Sequence, residues 1–89
     1  MEIGQIVRSI SGHDKNRFYV VTGTDKDSVT IADGKIRRLS KPKKKNIRHV
    51  AKTNEVLDLS KIMSDKALYL ILKEKNVKLK TLDGGNLLG

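Results

Sequence analysis

Residues 4–22, GQIVRSISGHDKNRFYVVT, decide the fold predicted for this chain. The apolar run Gln5–Ile10 ends at a cluster of turn-forming residues at positions 11–16. Arg17–Thr22 then carries β-branched and aromatic residues on both alternating faces, which is the pattern of a strand buried on both sides. The stretch therefore predicts two strands joined by a short loop, with the second strand in the middle of a sheet.

The next segment predicts three more strands. Ser28–Ala32 alternates apolar and polar residues and is followed by Asp33-Gly34 and then by Lys35–Leu39. Because Asp-Gly tolerates the positive φ angles of a type I′ turn, this pattern predicts a hairpin. Ser40–Asn46 contains the only proline and is predicted to be an irregular connection. Ile47–Ala51 is predicted as a fifth short strand that completes the sheet.

A helical pattern begins after residue 63. Ser64 is a suitable N-cap, and Leu68, Ile71 and Leu72 fall on one helical face. A helix is the preferred interpretation, and a strand through Ala67–Lys73 is the alternative that the same apolar residues allow.

The length of 89 residues is enough for one domain. We expect the strands to occupy residues 1–54 and a helical extension, packed on or beside them, to occupy residues 55–78. Residues 79–89 contain two adjacent glycines and little to pack, so they are predicted to form a flexible tail.

The positive charge of the chain is confined to one segment. The net charge is +9, of which residues 1–34 contribute −1 and residues 53–89 contribute +1. The segment between them, residues 35–52, holds nine basic side chains and no acidic one. An evenly charged surface would mix both signs, so this pattern indicates a surface that faces a polyanion.

The first part of the chain resembles the KOW motif of RNA-binding proteins. The residues that match the motif are Gly4, Ile6, Val7, Gly12, Phe18, Val20 and Val21. Together, GQIVRSISGHDKNRFYVV, ADGKIRRL and KPKKKNIRHV look like the KOW proteins of the large ribosomal subunit of eukaryotes and archaea, over residues 3–54. Many KOW sequences have glycine at the position of Asn16, and asparagine also tolerates a left-handed backbone.

The resemblance implies a mainly β fold, a small five-stranded SH3-like barrel, followed here by a C-terminal α-helix. It also implies a domain that binds ribosomal or other structured RNA and performs no chemistry itself. The scarcity of aromatic residues agrees with this: Phe18 and Tyr19 are expected in the core, where they are not available to stack on unpaired bases.

The candidate RNA-binding residues are basic side chains that would contact phosphates with little sequence preference. They are Lys15, Arg17, Lys35, Arg37, Arg38, Lys41, Lys43, Lys44, Lys45, Arg48, His49 and Lys52. The competing interpretation is a solvated face that only aids solubility, and the lack of interspersed acids favours binding. The KOW loop is assigned to Gly12, His13, Asp14 and Asn16, for which the competing interpretation is a plain turn closed by the Asp14 side chain.

Catalysis, metal binding and cofactors are not predicted. The chain has no cysteine, no glycine-rich phosphate loop followed by lysine, and only two histidines, neither of them within a ligand motif. We therefore expect no enzyme activity, no metal and no small-molecule substrate.

The predicted location is the cytoplasm, without a membrane partner. No apolar run approaches the roughly 18 residues that span a bilayer, and no basic and apolar leader opens the sequence. Two alternatives stay open: an SH3-like protein-interaction module of the translation or transcription machinery, and DNA, which presents the same phosphates as RNA.

Overall fold

A computed structural model describes the backbone of residues 1–13, 15–62 and 64–88, and the side chains of residues 1–13, 15–62 and 64–76. Within them, five strands form one antiparallel sheet in the order β4-β3-β2-β1-β5. The strands are β1 (Gln5–Ser9), β2 (Phe18–Thr24), β3 (Ser28–Ala32), β4 (Lys43–Asn46) and β5 (Val50–Val56). One helix, α1 (Asp65–Leu88), follows the sheet. The predicted mainly β fold with a five-stranded sheet and a C-terminal helix is thereby confirmed.

Both faces of the sheet are buried in its middle, as predicted for the second strand. One face carries a cluster of Val7, Tyr19, Val21, Val29, Ile31 and Val50. The opposite face carries Ile6, Val20 and Ala32, which pack against Leu68 and Leu72 of α1. Successive residues of β2 point to opposite faces, so this one strand contributes to both clusters.

The helix starts where the sequence predicts it. The Ser64 hydroxyl accepts a hydrogen bond from the backbone N–H of Ala67 at 3.2 Å, which confirms the N-cap. The helix continues beyond residue 78 to Leu88. The flexibility predicted for residues 79–89 stays a prediction, because the side chains there lie outside the described residues. No helix in the described part of the chain is both long and apolar enough to cross a membrane.

The hairpin predicted at Asp33-Gly34 is wrong. After β3, the chain forms an irregular loop, and the segment predicted as its partner is not a strand. Asp33 is buried, and its Oδ1 accepts hydrogen bonds from the backbone N–H groups of Lys35 and Arg37, both at 2.9 Å. A short polar side chain that binds the backbone ahead of it competes with the regular ladder, and here it curls the chain away from β3.

The strand that pairs with β3 on the side away from β2 lies within the segment predicted to be irregular. Lys43 is opposite Ile31 and Lys45 is opposite Val29. Pro42 directly precedes β4, where its missing N–H removes no hydrogen bond from the ladder. The predicted fifth strand is displaced as well, because Ile47–His49 is a 3₁₀ turn and β5 begins only at Val50.

Candidate nucleic-acid interface

A groove of about 630 Å³ collects basic residues from three separate segments. Since β1 and β3 both pair antiparallel with β2, they run in the same direction, and the loops that follow them leave the sheet at the same end. These two loops, residues 10–17 and 33–42, line the groove together with β4 and the 3₁₀ turn. The basic lining residues are Arg17, Arg37, Lys43, Lys44 and Lys45, accompanied by His13 and His49.

The groove has a strong positive charge. None of the described lining residues is acidic, so the five Lys and Arg side chains bring a formal charge of +5. The buried Asp33 carboxylate lies behind Arg17, and counting it leaves +4. A concave surface of one sign concentrates its field, so this groove attracts a polyanion more strongly than the same charges would on a flat surface.

Asp33 fixes two of the groove arginines. Its side chain is 3% exposed. Oδ1 accepts a hydrogen bond from the backbone N–H of Arg37. Oδ2 lies 3.9 Å from the guanidinium of Arg17 and accepts no hydrogen bond. Arg17 remains 44% exposed, so it can present N–H donors to a ligand while one part of its guanidinium faces Asp33. One buried carboxylate thus contacts Arg17 and the backbone of Arg37, which belong to the two loops that line the groove.

Lys45 is a structural cation and does not behave like its neighbours. It is only 8% exposed, and its Nζ donates hydrogen bonds to Ser9 Oγ at 2.6 Å and to the backbone oxygen of Ser11 at 3.0 Å. The alternation of β4 directs Lys45 to the face of Val29, whereas Lys44 is exposed. The sequence predicted the same phosphate-binding role for both, and that role stays a prediction. The structure distinguishes the two lysines, because Lys45 lines the groove with little exposed surface and its ammonium group is already hydrogen-bonded.

The loop between β1 and β2 has the backbone geometry expected of it. Gly12 and Asn16 adopt positive φ angles of 82° and 74°, which glycine and asparagine tolerate. Gly12 and His13 line the groove, while Lys15 is exposed on the same loop and outside the lining. Asp14 lies outside the described residues.

The remaining predicted residues do not join the groove. Lys35 and Arg38 line a second hollow, of about 460 Å³, together with Gly34 and residues of α1. The other three, Lys41, Arg48 and Lys52, are exposed and line neither concavity in the described part of the chain. The basic segment therefore divides into a groove, a hollow and isolated surface positions.

Sequence reasoning missed the residues of α1 beside this hollow. Lys66 and Tyr69 line it, and the Nζ of Lys73 lies 5.9 Å from the centre of the Tyr69 ring. Their spacing places them on one face of the helix, which the sequence could have shown. The loop from Gly34 to Arg38 that faces them could not be predicted, because that segment was assigned to a hairpin.

His13 and His49 are the histidines of the groove. Within the described residues, no group of three His, Asp or Glu side chains is arranged to hold a metal ion. In comparisons with known proteins, no family model matches the chain and no curated protein matches it significantly.

Proposed function

We propose that this chain is a non-catalytic, cytoplasmic RNA-binding module of the KOW type, which holds the phosphodiester backbone of ribosomal or other structured RNA in the basic groove. The observation that carries the proposal is the convergence of basic side chains from two loops and β4 on one concavity without an acidic residue in its described lining. Phosphate contacts of this kind supply affinity and position the protein, while they read little sequence.

The proposed fold is an SH3-like barrel, in which the sheet closes on itself. Among the described residues, Met1 is the partly buried apolar residue that packs on the cluster of Val7 and Ile31 from outside the strands. Curvature of the sheet would bury the rest of this cluster. The edge strands β4 and β5 are joined by a 3₁₀ turn of three residues, which keeps their ends close. The hydrogen bond from Lys45 on β4 to Ser9 on β1 also crosses the curved face between strands that are not neighbours in the sheet.

Structured RNA is favoured over an unpaired strand because the described lining of the groove offers no exposed Phe, Tyr or Trp ring. Tyr19, the aromatic residue in its lining, is 3% exposed. Proteins that bind single strands stack successive bases on exposed aromatic rings, and this groove offers charge and shape instead.

The alternative function, a protein-interaction module, is less well supported by the surface of α1. It requires the apolar residues of α1 to face a partner, yet Leu68 and Leu72 are buried against the sheet. Ile71, on the same side of the helix, is half-buried. Among the described side chains of α1, Leu70 is exposed at 52%, and it has no exposed apolar neighbour with which to form a stripe.

The test compares two variants of equal charge. The groove variant carries Arg37→Gln, Lys43→Gln and Lys44→Gln, and the control variant carries Lys41→Gln, Arg48→Gln and Lys52→Gln, which lie in the same basic segment but outside both concavities. Binding to a structured RNA is measured between low and high salt, and circular dichroism verifies folding.

For the unmodified protein, contact with five or six phosphates gives a slope of log K against log salt of roughly −3.5 to −5. Loss of three contacts should reduce the steepness by about 2 to 3, which corresponds to a loss of roughly 100-fold or more at 0.1 M salt. The control variant should lose only a few-fold. Equal losses in both variants, or binding that does not depend on salt, would contradict the proposal.

A further inference from the structure

The hollow beside the groove is a second concentration of positive charge. It lies between the loop 34–38 and the first turns of α1. Lys35, Arg38 and Lys66 line it, and Lys73 reaches the ring at its border. Asp65 is the acidic residue in its lining, so four basic side chains and one carboxylate give a formal charge of +3. The Asp65 Oδ1 already accepts a hydrogen bond from the backbone N–H of Leu39 at 2.6 Å.

Tyr69 holds two of these cations. The Nζ of Lys35 lies 5.3 Å from the centre of its ring and the Nζ of Lys73 lies 5.9 Å from it. Both distances are within the range of cation–π attraction. Because the Tyr69 ring already contacts two ammonium groups, it is not free to stack on a base. Instead, the ring holds the two lysines at the border of the hollow. The ligand that fits is an anion with more than one charge.

The groove and the hollow share one loop as the ridge between them. Along this loop, Lys35 and Arg38 line the hollow, whereas Ile36 and Arg37 line the groove. Ile36 is 66% exposed, so the ridge projects into solvent.

The ridge is fixed at its base. Oδ1 of Asp33 binds the backbone of the loop, and Gly34 approaches α1 so closely that a Cβ on it would lie 2.1 Å from the backbone oxygen of Asp65. The two basic concavities are therefore held on opposite sides of one rigid ridge.

We infer that the hollow is a second phosphodiester-binding site and that the ligand is double-helical RNA. One backbone of the duplex contacts the groove, the other contacts the hollow, and the 34–38 ridge lies between the two backbones. A duplex presents two rows of phosphates on either side of a groove, and the minor groove of A-form RNA is wide and shallow enough to receive a protein ridge. A single strand presents one row of phosphates and would occupy one concavity at a time. This inference rests on the proposed RNA-binding function and adds the form of the RNA to it.

The experiment uses two RNAs and three variants. The RNAs are a duplex of roughly 16 base pairs, which spans two successive minor grooves, and a single strand of oligouridylate of the same length. The hollow variant carries Lys66→Gln and Lys73→Gln, both exposed on α1, and its control carries Lys41→Gln and Lys52→Gln. The groove variant described above is the third protein. Circular dichroism confirms that each variant is folded.

The hollow variant should bind the duplex roughly 30- to 60-fold more weakly at 0.1 M salt, with a salt slope reduced by about 1.4 to 1.8, because two phosphate contacts are lost. Its affinity for oligouridylate should stay within about threefold of the unmodified protein, which is the size of a general charge effect on a screened surface.

Three results would overturn the inference in distinguishable ways. If the hollow variant binds the duplex as well as its control does while the groove variant fails, the hollow is not a binding site and the proposed function stands. If the hollow variant loses both RNAs equally, the duplex assignment is wrong. If the unmodified protein binds neither RNA, the proposed function fails and this inference fails with it.

Discussion

Replacement of the buried Asp33 carboxylate should destabilise the protein and loosen the loop that separates the two concavities. Oδ1 accepts two backbone hydrogen bonds at 2.9 Å, and a hydrogen bond to a charged group contributes about 1.5 to 3 kcal/mol. Water can reach part of the opened loop in the Asp33→Ala variant, so we expect a loss of about 2 to 4 kcal/mol in the free energy of unfolding. The free energy of unfolding of a small domain lies near the lower end of roughly 5 to 15 kcal/mol. The expected loss is therefore a large fraction of the stability of the protein.

The assay is urea unfolding followed by circular dichroism, together with a thermal melt. A loss of this size lowers the Tm of a domain of this length by roughly 10 to 25 °C. Asp33→Asn keeps an acceptor at Oδ1 but removes the charge that faces Arg17, and we expect it to lose less than the alanine variant. Asp27→Ala is the matched control, because that carboxylate is exposed in the loop between β2 and β3. A structural role of Asp33 would be contradicted if the free energies of unfolding of Asp33→Ala and Asp27→Ala both stayed within about 0.5 kcal/mol of the unmodified protein, as they do for surface substitutions.

Three further outcomes are expected. Lys45→Ala should lower the free energy of unfolding by about 2 to 4 kcal/mol, because buried packing and two hydrogen bonds are lost. The control Lys44→Ala should change it by less than about 0.5 kcal/mol. Equal effects of the two substitutions in urea unfolding would refute the structural role of Lys45. Gly34→Ala should lower the free energy of unfolding by at least about 2 kcal/mol, because the residue has φ +83° and the new Cβ would meet the backbone of Asp65. A thermal melt identical to that of the unmodified protein would contradict this. A DNA duplex of the same sequence should bind more weakly than the RNA duplex in the same salt titration, because the minor groove of DNA is narrower. Equal binding of the two duplexes would argue against recognition by shape.

The sheet was predictable where burial dominates the sequence. Arg17–Thr22 carries apolar residues on both faces, and the corresponding strand β2 lies in the middle of the sheet with both faces covered. The helix was predictable from its cap and its apolar face, since Ser64 and Leu68 occupy the expected positions. In these segments, local pattern and tertiary packing favour the same structure.

The region after β3 was not predictable by the same reasoning. Asp33-Gly34 has the composition of a tight hairpin, but the outcome depends on whether the carboxylate stays in solvent or is buried beneath its own loop. Lysines are uncommon in strands, so Lys43–Asn46 gave no strand signal. Its pairing with β3 comes from long-range contacts that a local pattern does not contain.

The candidate site was predictable in composition and not in shape. The sequence locates the positive charge in residues 35–52, and several of these side chains meet in the groove. It does not show that Lys45 is buried, that Arg38 faces away from Arg37, or that Tyr69 of α1 borders a second basic hollow. Strand alternation and loop curvature decide these directions, and both depend on the correct register.

A titration of ¹⁵N-labelled protein with duplex RNA, in which the chemical shift of each backbone amide is followed, locates the RNA-binding surface. If RNA binds in the groove, the largest changes should occur at residues that line it, which include Gly12, His13, Ile36, Lys44 and His49. Amides at the start of β1 and the end of β5, such as those of the paired residues Gln5 and Val56, line neither concavity in the described part of the chain and should change little. Changes concentrated in these two strand ends, with the groove amides unmoved at saturating RNA, would contradict RNA binding in the groove.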